Sequence, residues 1–260
     1  MTPSDIEDAA QRLFEAERQR RQIRLLSLDF PGATMDEAYR VQAALVARKV
    51  AAGHKPRGWK IGLTSKAMQS ALNINVPDSG VLFEDMFFAP GATIPPDRFI
   101  QPRIEAEIAF IMKAPLHGPV DSIDQVIAAT DSICPAIEIL DTRIERVNAA
   151  TGKARTIFDT IADNAANAGI VLGDRRIAPR DADMRWIGAI VSRNGEIEET
   201  GLGAGVLDHP AMGIVWLANR LHQYGRGIAA GSFVRPVEAR HGDSIVADFG
   251  PHGTIALVFA

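Results

Sequence analysis

Hydrophobic residues recur at helical spacing in the first part of the chain. Between positions 6 and 14 they return every three or four residues, and Ser4 precedes them as a candidate helix cap. Thr34 and Glu37 have the spacing of a capping box at the start of a second helix. These signals predict an N-terminal helical region over residues 1–56.

Farther along, the apolar residues come in short runs separated by glycine, proline and polar residues. Such runs predict strands, and Asn194-Gly195 between two of them is the strongest hairpin signal in the chain. Helices are predicted after Ser65, over residues 122–129 and from Pro210. Many short strands with few helices predict an α+β fold, with a mixed, mainly β domain over residues 57–260. The predicted strands include Trp59–Thr64, Val81–Phe88, Gly169–Gly173, Ser232–Val234, Ile245–Phe249 and Thr254–Phe259.

Two further predicted strands carry carboxylates. Residues 103–110 alternate, with Glu105 and Glu107 on one face and apolar side chains on the other. Residues 133–140 are apolar apart from Glu138. A carboxylate in such a run is costly to bury unless it is paired or bound to a metal ion. Together the three indicate an all-oxygen site for Mg²⁺ or Mn²⁺; the alternative is a solvated pair of glutamates, with Glu138 beside an arginine.

Four other polar residues are candidates for chemistry, and each also has a structural interpretation. Lys60 lies in an apolar run, where it either extends its ammonium group to water or meets an anion and carries a proton. Asp78 most simply caps the turn that Pro77 begins. Asp163 and Asn164 most simply cap a helix.

Composition excludes several classes of protein. The 260 residues are 47% hydrophobic and carry a net charge of −4, so no basic surface indicates nucleic-acid binding. No apolar run has the length of a membrane span, and the first residues do not resemble a signal peptide, which predicts a cytoplasmic protein. The single cysteine, Cys134, is expected in the core. The six histidines are scattered, which argues against a histidine-based zinc site.

Five segments in register resemble a known family. They are, in chain order, Gly58–Ser65, Pro77–Gly80, Pro102–Phe110, Pro135–Glu138 and Ile161–Ala165. Together they are similar to the hydratases of the fumarylacetoacetase superfamily that act in the meta-cleavage degradation of aromatic compounds. The resemblance extends over nearly the whole chain.

The resemblance implies a mixed β-roll core and a divalent cation, usually Mg²⁺, held by Glu105, Glu107 and Glu138. It also implies that Lys60 and Asp78 face the substrate and carry protons. The substrate would be a small 2-hydroxy-dienoate, or its 2-oxo form, with a second carboxylate at its far end. The product would be a 4-hydroxy-2-oxo acid, and several copies of the chain are expected to assemble.

Contacts to the substrate are expected from four residues. Arg103 and Arg235 are candidates for the distal carboxylate, and Asp163 and Asn164 belong to a segment that the family shares. A decarboxylase of a related 2-oxo-hexenedioate, with a similar fold and metal site, is the main alternative function. A carbon–carbon hydrolase of the same superfamily is disfavoured, because those relatives use a histidine upstream of the metal carboxylates and this chain has none between positions 60 and 105.

One departure from the family concerns the segment around Ala229 and Gly231. Relatives are several residues longer there, and the shortening would remove a core strand and leave neighbouring backbone groups unpaired. A third hypothesis is therefore a scaffold that keeps the fold but has lost activity.

Overall fold

The computed structural model describes residues 1–71, 74–229 and 243–259. The helices in these ranges are α1 (Pro3–Gln19), α2 (Leu26–Asp29), α3 (Met35–Ala51), α4 (Lys66–Ala71), α5 (Ile123–Ala129), α6 (Ile157–Ala162) and α7 (Pro210–His222). The strands are β1 (Pro56–Gly62), β2 (Asp78–Phe83), β3 (Phe87–Phe88), β4 (Thr93–Ile94), β5 (Arg103–Met112), β6 (Thr130–Leu140), β7 (Asn167–Leu172), β8 (Gly188–Arg193), β9 (Glu196–Leu202), β10 (Ser244–Asp248) and β11 (Thr254–Phe259).

The N-cap of the first helix lies two residues earlier than predicted. Thr2, not Ser4, is the N-cap, and its hydroxyl accepts the backbone N–H of Asp5 at 3.2 Å. Pro3 follows at the first helical position, where its fixed φ favours the helix and its missing N–H is not needed. The capping box of Thr34 and Glu37 is confirmed, with reciprocal bonds of 3.2 and 2.8 Å.

The N-terminal helices pack on a later part of the chain. Leu13 of α1 and Leu45 of α3 share one hydrophobic cluster with Phe158 and Ile161 of α6. The N-terminal helices therefore share a hydrophobic cluster with α6 that is separate from the cluster containing most of the strand residues. The division of the chain after residue 56 stays a prediction.

The strands of the described ranges form three sheets. One pairs β1 with β2, the second has the order β3-β7-β6-β5, and the third has the order β4-β11-β10-β8-β9. Most neighbours are antiparallel, whereas β3 with β7 and β4 with β11 are parallel. The predicted α+β class is confirmed, and the largest hydrophobic cluster contains residues of all three sheets.

The predicted hairpin is confirmed between β8 and β9. Asn194 and Gly195 have φ values of 54° and 87°, in the left-handed region that this tight turn requires. The predicted core position of Cys134 is also confirmed, since its side chain is buried.

Two local predictions were wrong. Asp78 is not a turn residue; it is the first residue of β2 and is paired with Gly62. The extended run predicted over 81–88 is interrupted by a 3-10 turn at Glu84–Met86. The predicted strand near Ser232–Val234 lies outside the described residues, as does part of the shortened segment around Ala229 and Gly231.

Within the described ranges, no helix combines the length and apolar character needed to cross a membrane.

Candidate active site

The register of β5 and β6 brings the three predicted carboxylates to one face of a sheet. Glu105 is paired directly with Glu138, and Glu107 is paired with Ala136. Since alternate residues of a strand share a face, Glu107 lies on the same side as Glu105 and Glu138. Directly opposed side chains have Cβ atoms about 5 Å apart, within the reach of a shared ion.

The carboxylate face is largely closed to solvent. Glu107 and Glu138 are 5% and 1% exposed, and Glu105 is half-buried. The Lys60 ammonium lies 3.6 Å from Glu138 Oε1. The alternative of a solvated glutamate pair was wrong for Glu107, and a lysine stands beside Glu138 where that alternative expected an arginine.

Lys60 does not extend its ammonium group to water. It is 4% exposed, and its Nζ donates to the carbonyl of Ala165 at 3.1 Å. It reaches this position from β1, where it is paired with Gly80 of β2. The interpretation of Lys60 as a solvent-directed lysine was therefore wrong, because its head group is held inside the protein by a carbonyl and a carboxylate.

Lys60 and Asp78 converge over Gly62. Gly62 is paired with Asp78 across β1 and β2. A Cβ at Gly62 would collide with Asp78 Oδ1 and would lie 3.1 Å from Lys60 Nζ. Position 62 must therefore be glycine, because the Asp78 carboxylate and the Lys60 ammonium occupy the space that a Cβ would need.

Asn164 joins a tight turn to β2. Its Oδ1 accepts the Val81 N–H at 2.8 Å, and its Nδ2 donates to the Val81 carbonyl at 2.9 Å. Gly80 packs so closely that a Cβ there would collide with the Asn164 carbonyl oxygen. The Asn164 side chain therefore links two backbone segments, and the prediction that it caps a helix was wrong.

Asp163 forms a buried ion pair with Arg143. Arg143 Nε donates to Asp163 Oδ1 at 2.6 Å, and the Arg143 backbone N–H donates to Oδ2 at 2.9 Å. Burial opposes the charge on Arg143, but the charges of Asp163, Glu17 and Asp141 together outweigh it and raise the pKa of the guanidinium. Asp163 makes no capping bond with its side chain, and its pairing favours a supporting role over direct contact with a substrate.

Arg143 is a functional candidate that sequence reasoning missed. It directly follows Asp141 and Thr142 at the end of β6, the strand that carries Glu138. A run of polar residues immediately after a buried apolar strand was the available signal.

A cleft of about 610 Å³ extends along β5. Its lining includes Glu105 and Glu107, apolar side chains such as Phe110 and Ile187, and residues 199–203 of the β9 region. Phe110 lies on the opposite face of β5 from Glu105 and Glu107, and Glu138 does not line the cleft. The cleft therefore lies mainly against the apolar face of β5.

Of the two arginines predicted to bind the distal carboxylate, one lies within the described residues. Arg103 is half-buried at the start of β5, two residues before Glu105 and on the same face. Arg235 lies outside the described residues. In the described part of the chain, no three histidine, cysteine, aspartate or glutamate side chains are arranged around a common point as metal ligands. The strand register places Glu105, Glu107 and Glu138 on one sheet face, but their carboxylate groups do not point at one shared position.

The chain is similar to characterised enzymes along its whole length. It is 52% identical over 256 residues to 2-oxo-hept-4-ene-1,7-dioate hydratase of Escherichia coli, covering 96% of each chain. It is 38% identical over 234 residues to 2-keto-4-pentenoate hydratase of Paraburkholderia xenovorans, covering 90% of this chain and 85% of that protein.

A solved structure has the same fold throughout. The 4-oxalocrotonate decarboxylase from Pseudomonas putida G7, complexed with magnesium and adipate, superposes with a TM-score of 0.92 at 33% identity, covering 100% of this chain and 99% of that one. No protein-family model matches the chain. The extent of these identities nevertheless settles the relationship: the chain belongs to the hydratase and decarboxylase branch of the fumarylacetoacetase superfamily.

Proposed function

We propose that the chain is a metal-dependent hydratase that converts 2-oxo-hept-4-ene-1,7-dioate, or its 2-hydroxy-dienoate form, into 4-hydroxy-2-oxoheptanedioate in the degradation of aromatic compounds. The observation that carries the proposal is the 52% identity to an enzyme of that name over 96% of both chains. The convergence of Lys60 and Asp78 over Gly62, beside the carboxylate face, supports it with groups suited to proton transfer.

The carboxylates fit a divalent metal ion by their chemistry. Glu105, Glu107 and Glu138 offer hard oxygen donors on one sheet face, and two of them are directly opposed. Magnesium accompanies the related decarboxylase in its solved structure, and Mn²⁺ accepts the same ligands. Binding would require the glutamate side chains to turn toward one another without a change in strand register.

A cation held there would act as a Lewis acid that stabilises negative charge on the C2 oxygen of a 2-oxo acid. Lys60 and Asp78 then supply the two proton carriers that the reaction needs. One takes the proton of the 2-hydroxyl group and one delivers a proton to C5, which gives an α,β-unsaturated 2-oxo acid. Their burial beside each other makes proton transfer sensitive to both charges.

Addition of water completes the reaction. In this step the same pair removes a proton from the attacking water at C4 and returns a proton to C3. Lys60 is held away from solvent by Ala165, so its ammonium group is available at a fixed position above β1.

We also propose how the rest of the substrate is bound. Arg103 shares the face of Glu105 and is our candidate among the described residues for the distal carboxylate. Asn164, fixed by Val81, is placed beside the Ala165 carbonyl that holds Lys60. Assembly into a homo-oligomer stays a prediction.

The test is a turnover assay on the purified chain. A 2-hydroxy-dienoate diacid is supplied with Mg²⁺ or with a chelator, and loss of dienol absorbance is followed together with product identity and released CO₂. The proposal expects Mg²⁺-dependent loss that yields a hydroxy-oxo acid without CO₂. Release of CO₂ would instead assign the decarboxylase function, which the whole-length likeness to 4-oxalocrotonate decarboxylase makes the second candidate.

Folded protein without turnover would support the scaffold hypothesis. Circular dichroism and intact mass on the same sample distinguish that outcome from a chain that does not fold. Intact mass also establishes whether the purified protein has the 260 residues of the sequence, including the shortened segment after Gly227.

A further inference from the structure

Three consecutive residues beneath Lys60 have left-handed backbone conformations. Asn164, Ala165 and Ala166 have φ values of 52°, 53° and 55°. A left-handed conformation costs an L-residue other than glycine roughly 1–2 kcal/mol, and a run of three is therefore formed only where its surroundings impose it.

The Arg143 side chain bridges the two ends of this turn. Its Nη2 donates to the carbonyl of Asp163 at 2.6 Å, just before the turn, and its Nη1 donates to the carbonyl of Asn167 at 3.1 Å, just after it. Its Nε is bound to the Asp163 carboxylate. One planar guanidinium thus fixes the spacing of both flanks, and it is itself buried.

This turn also holds the Lys60 ammonium group. The central carbonyl, that of Ala165, accepts from Lys60 Nζ at 3.1 Å. Asn164, one residue earlier, is tied to β2 through both polar groups of the Val81 backbone. A change in the spacing of the turn would therefore move the acceptor that keeps the Lys60 ammonium next to Glu138.

We propose that Arg143 is a positioning residue of the active site, which clamps the left-handed turn at residues 164–166 so that the Ala165 carbonyl holds Lys60 in its working position. The inference rests on the proposed function insofar as Lys60 carries a proton in the reaction. It assigns to Arg143 no contact with the substrate.

Only an arginine can fill this role. Its rigid fork presents several N–H groups in fixed directions, whereas a lysine offers one ammonium group on a flexible stem. Arg143→Lys keeps the positive charge beside Asp163 but cannot reach the two flanking carbonyls at once. The variant therefore tests the two hydrogen bonds to the flanking carbonyls separately from the ion pair with Asp163.

The experiment compares Arg143→Lys with the wild-type protein and with Arg12→Lys. Arg12 pairs with Asp29 at 2.8 Å among the N-terminal helices, away from the turn, and serves as the matched control. We expect kcat to fall at least about tenfold in Arg143→Lys with KM within about threefold, because a small misplacement of a reacting group mainly lowers the chemical rate. Arg12→Lys is expected to keep wild-type values.

A second readout does not depend on turnover. Reductive methylation with formaldehyde and a hydride donor, mapped by peptide mass spectrometry at one pH, reports how accessible each lysine is. We expect Lys60 to be methylated several times faster in Arg143→Lys than in the wild type, with the exposed Lys113 as an internal reference that does not change. If no protein turns over the dienoate, the proposed function fails, and the methylation rates still decide the role of Arg143.

The inference is overturned if Arg143→Lys keeps kcat within about twofold and leaves Lys60 as protected as before. Should Arg143→Lys not fold, the double variant Arg143→Gln with Asp163→Asn replaces it, because it removes both members of the buried ion pair and keeps the side chains close in size. The double variant is expected to show the same loss of kcat and the same faster methylation. Wild-type behaviour in both readouts would contradict the clamp.

Discussion

Glu105 and Glu138 lie directly opposite each other on the antiparallel strands β5 and β6. Like charges in this relationship destabilise a sheet, and the burial of Glu138 increases the cost. Lys60 at 3.6 Å supplies one positive charge. A divalent cation held between the two carboxylates, as proposed above, would offset the remaining repulsion.

Removal of one charge from this pair should weaken metal binding. In Glu138→Gln we expect the affinity for Mn²⁺ to fall at least about tenfold, because an amide oxygen is a weaker ligand than a carboxylate. Isothermal titration calorimetry with Mn²⁺ measures it. Glu196→Gln, on the exposed strand β9, is the matched control and should bind like the wild type. Unchanged affinity in Glu138→Gln would exclude Glu138 as a ligand.

The glycine under the Lys60–Asp78 pair should not tolerate a methyl group. Gly62→Ala places a Cβ against Asp78 Oδ1, and overpacking of this kind costs about 1–3 kcal/mol. Chemical denaturation gives the free energy of unfolding. Gly201→Ala is the control, since a Cβ there meets nothing within 4 Å and should change the stability little. Equal stability of the two variants would show that Asp78 does not occupy this space.

Replacement of Asn164 by aspartate tests the link between the turn and β2. Asn164→Asp keeps an acceptor for the Val81 N–H but turns a donor into an acceptor that faces the Val81 carbonyl. We expect a loss of about 1–3 kcal/mol, the usual penalty for an unsatisfied buried group. Asn75→Asp, at an exposed position, should change the free energy of unfolding by less than about 0.5 kcal/mol. A similar small change for Asn164→Asp would contradict the two-point contact.

Alkaline pH should destabilise the protein in part through Tyr39. Burial, with the nearby charge of Asp78, raises the pKa of Tyr39 to about 12, whereas the unfolded chain titrates near 10. Below pH 10 Tyr39 keeps its proton in both the folded and the unfolded state, so it does not change the free energy of unfolding. Above pH 10 the unfolded state loses the proton first, and the free energy of unfolding declines until the pH passes the pKa of the folded state. The loss between pH 9 and 11 is about 1 kcal/mol.

Tyr39→Phe isolates this contribution. The variant shares every other titrating group with the wild type, so the difference between their stability curves over pH 8–11.5 belongs to Tyr39. We expect the wild type to lose stability more steeply than the variant as the pH rises, measured by the melting temperature at each pH. Parallel curves would mean that Tyr39 is not protected from deprotonation in the folded state.

Local signals in the sequence predicted much of the fold. The Thr34 and Glu37 capping box, the Asn194-Gly195 turn and the alternation around Glu105 each depend on residues a few positions apart, and the structure confirms the elements that they predicted. Asp78 was wrongly assigned to a turn, because the local preference of Pro77 was overridden by pairing of β2 with β1.

Long-range contacts could not be predicted from such signals. The pairing of Arg143 with Asp163 joins residues twenty positions apart, and the contact of Lys60 with Ala165 joins residues more than a hundred apart. The left-handed conformations at Ala165 and Ala166 contradict the helical preference of alanine, since tertiary contacts impose them. The family resemblance predicted that Lys60 faces the substrate, whereas its contact with Glu138 and the turn that supports it are visible only in the structure.

The most direct test of the central claim is the identity of the product. A 2-hydroxy-dienoate diacid labelled with carbon-13 at C4 is incubated with the purified chain and Mg²⁺, and the C4 signal is followed by NMR. The hydratase account predicts that this signal moves from the alkene region to that of a carbon bearing a hydroxyl group, with all carboxylates retained. Loss of a carboxylate as CO₂ while C4 stays without a hydroxyl group would contradict it.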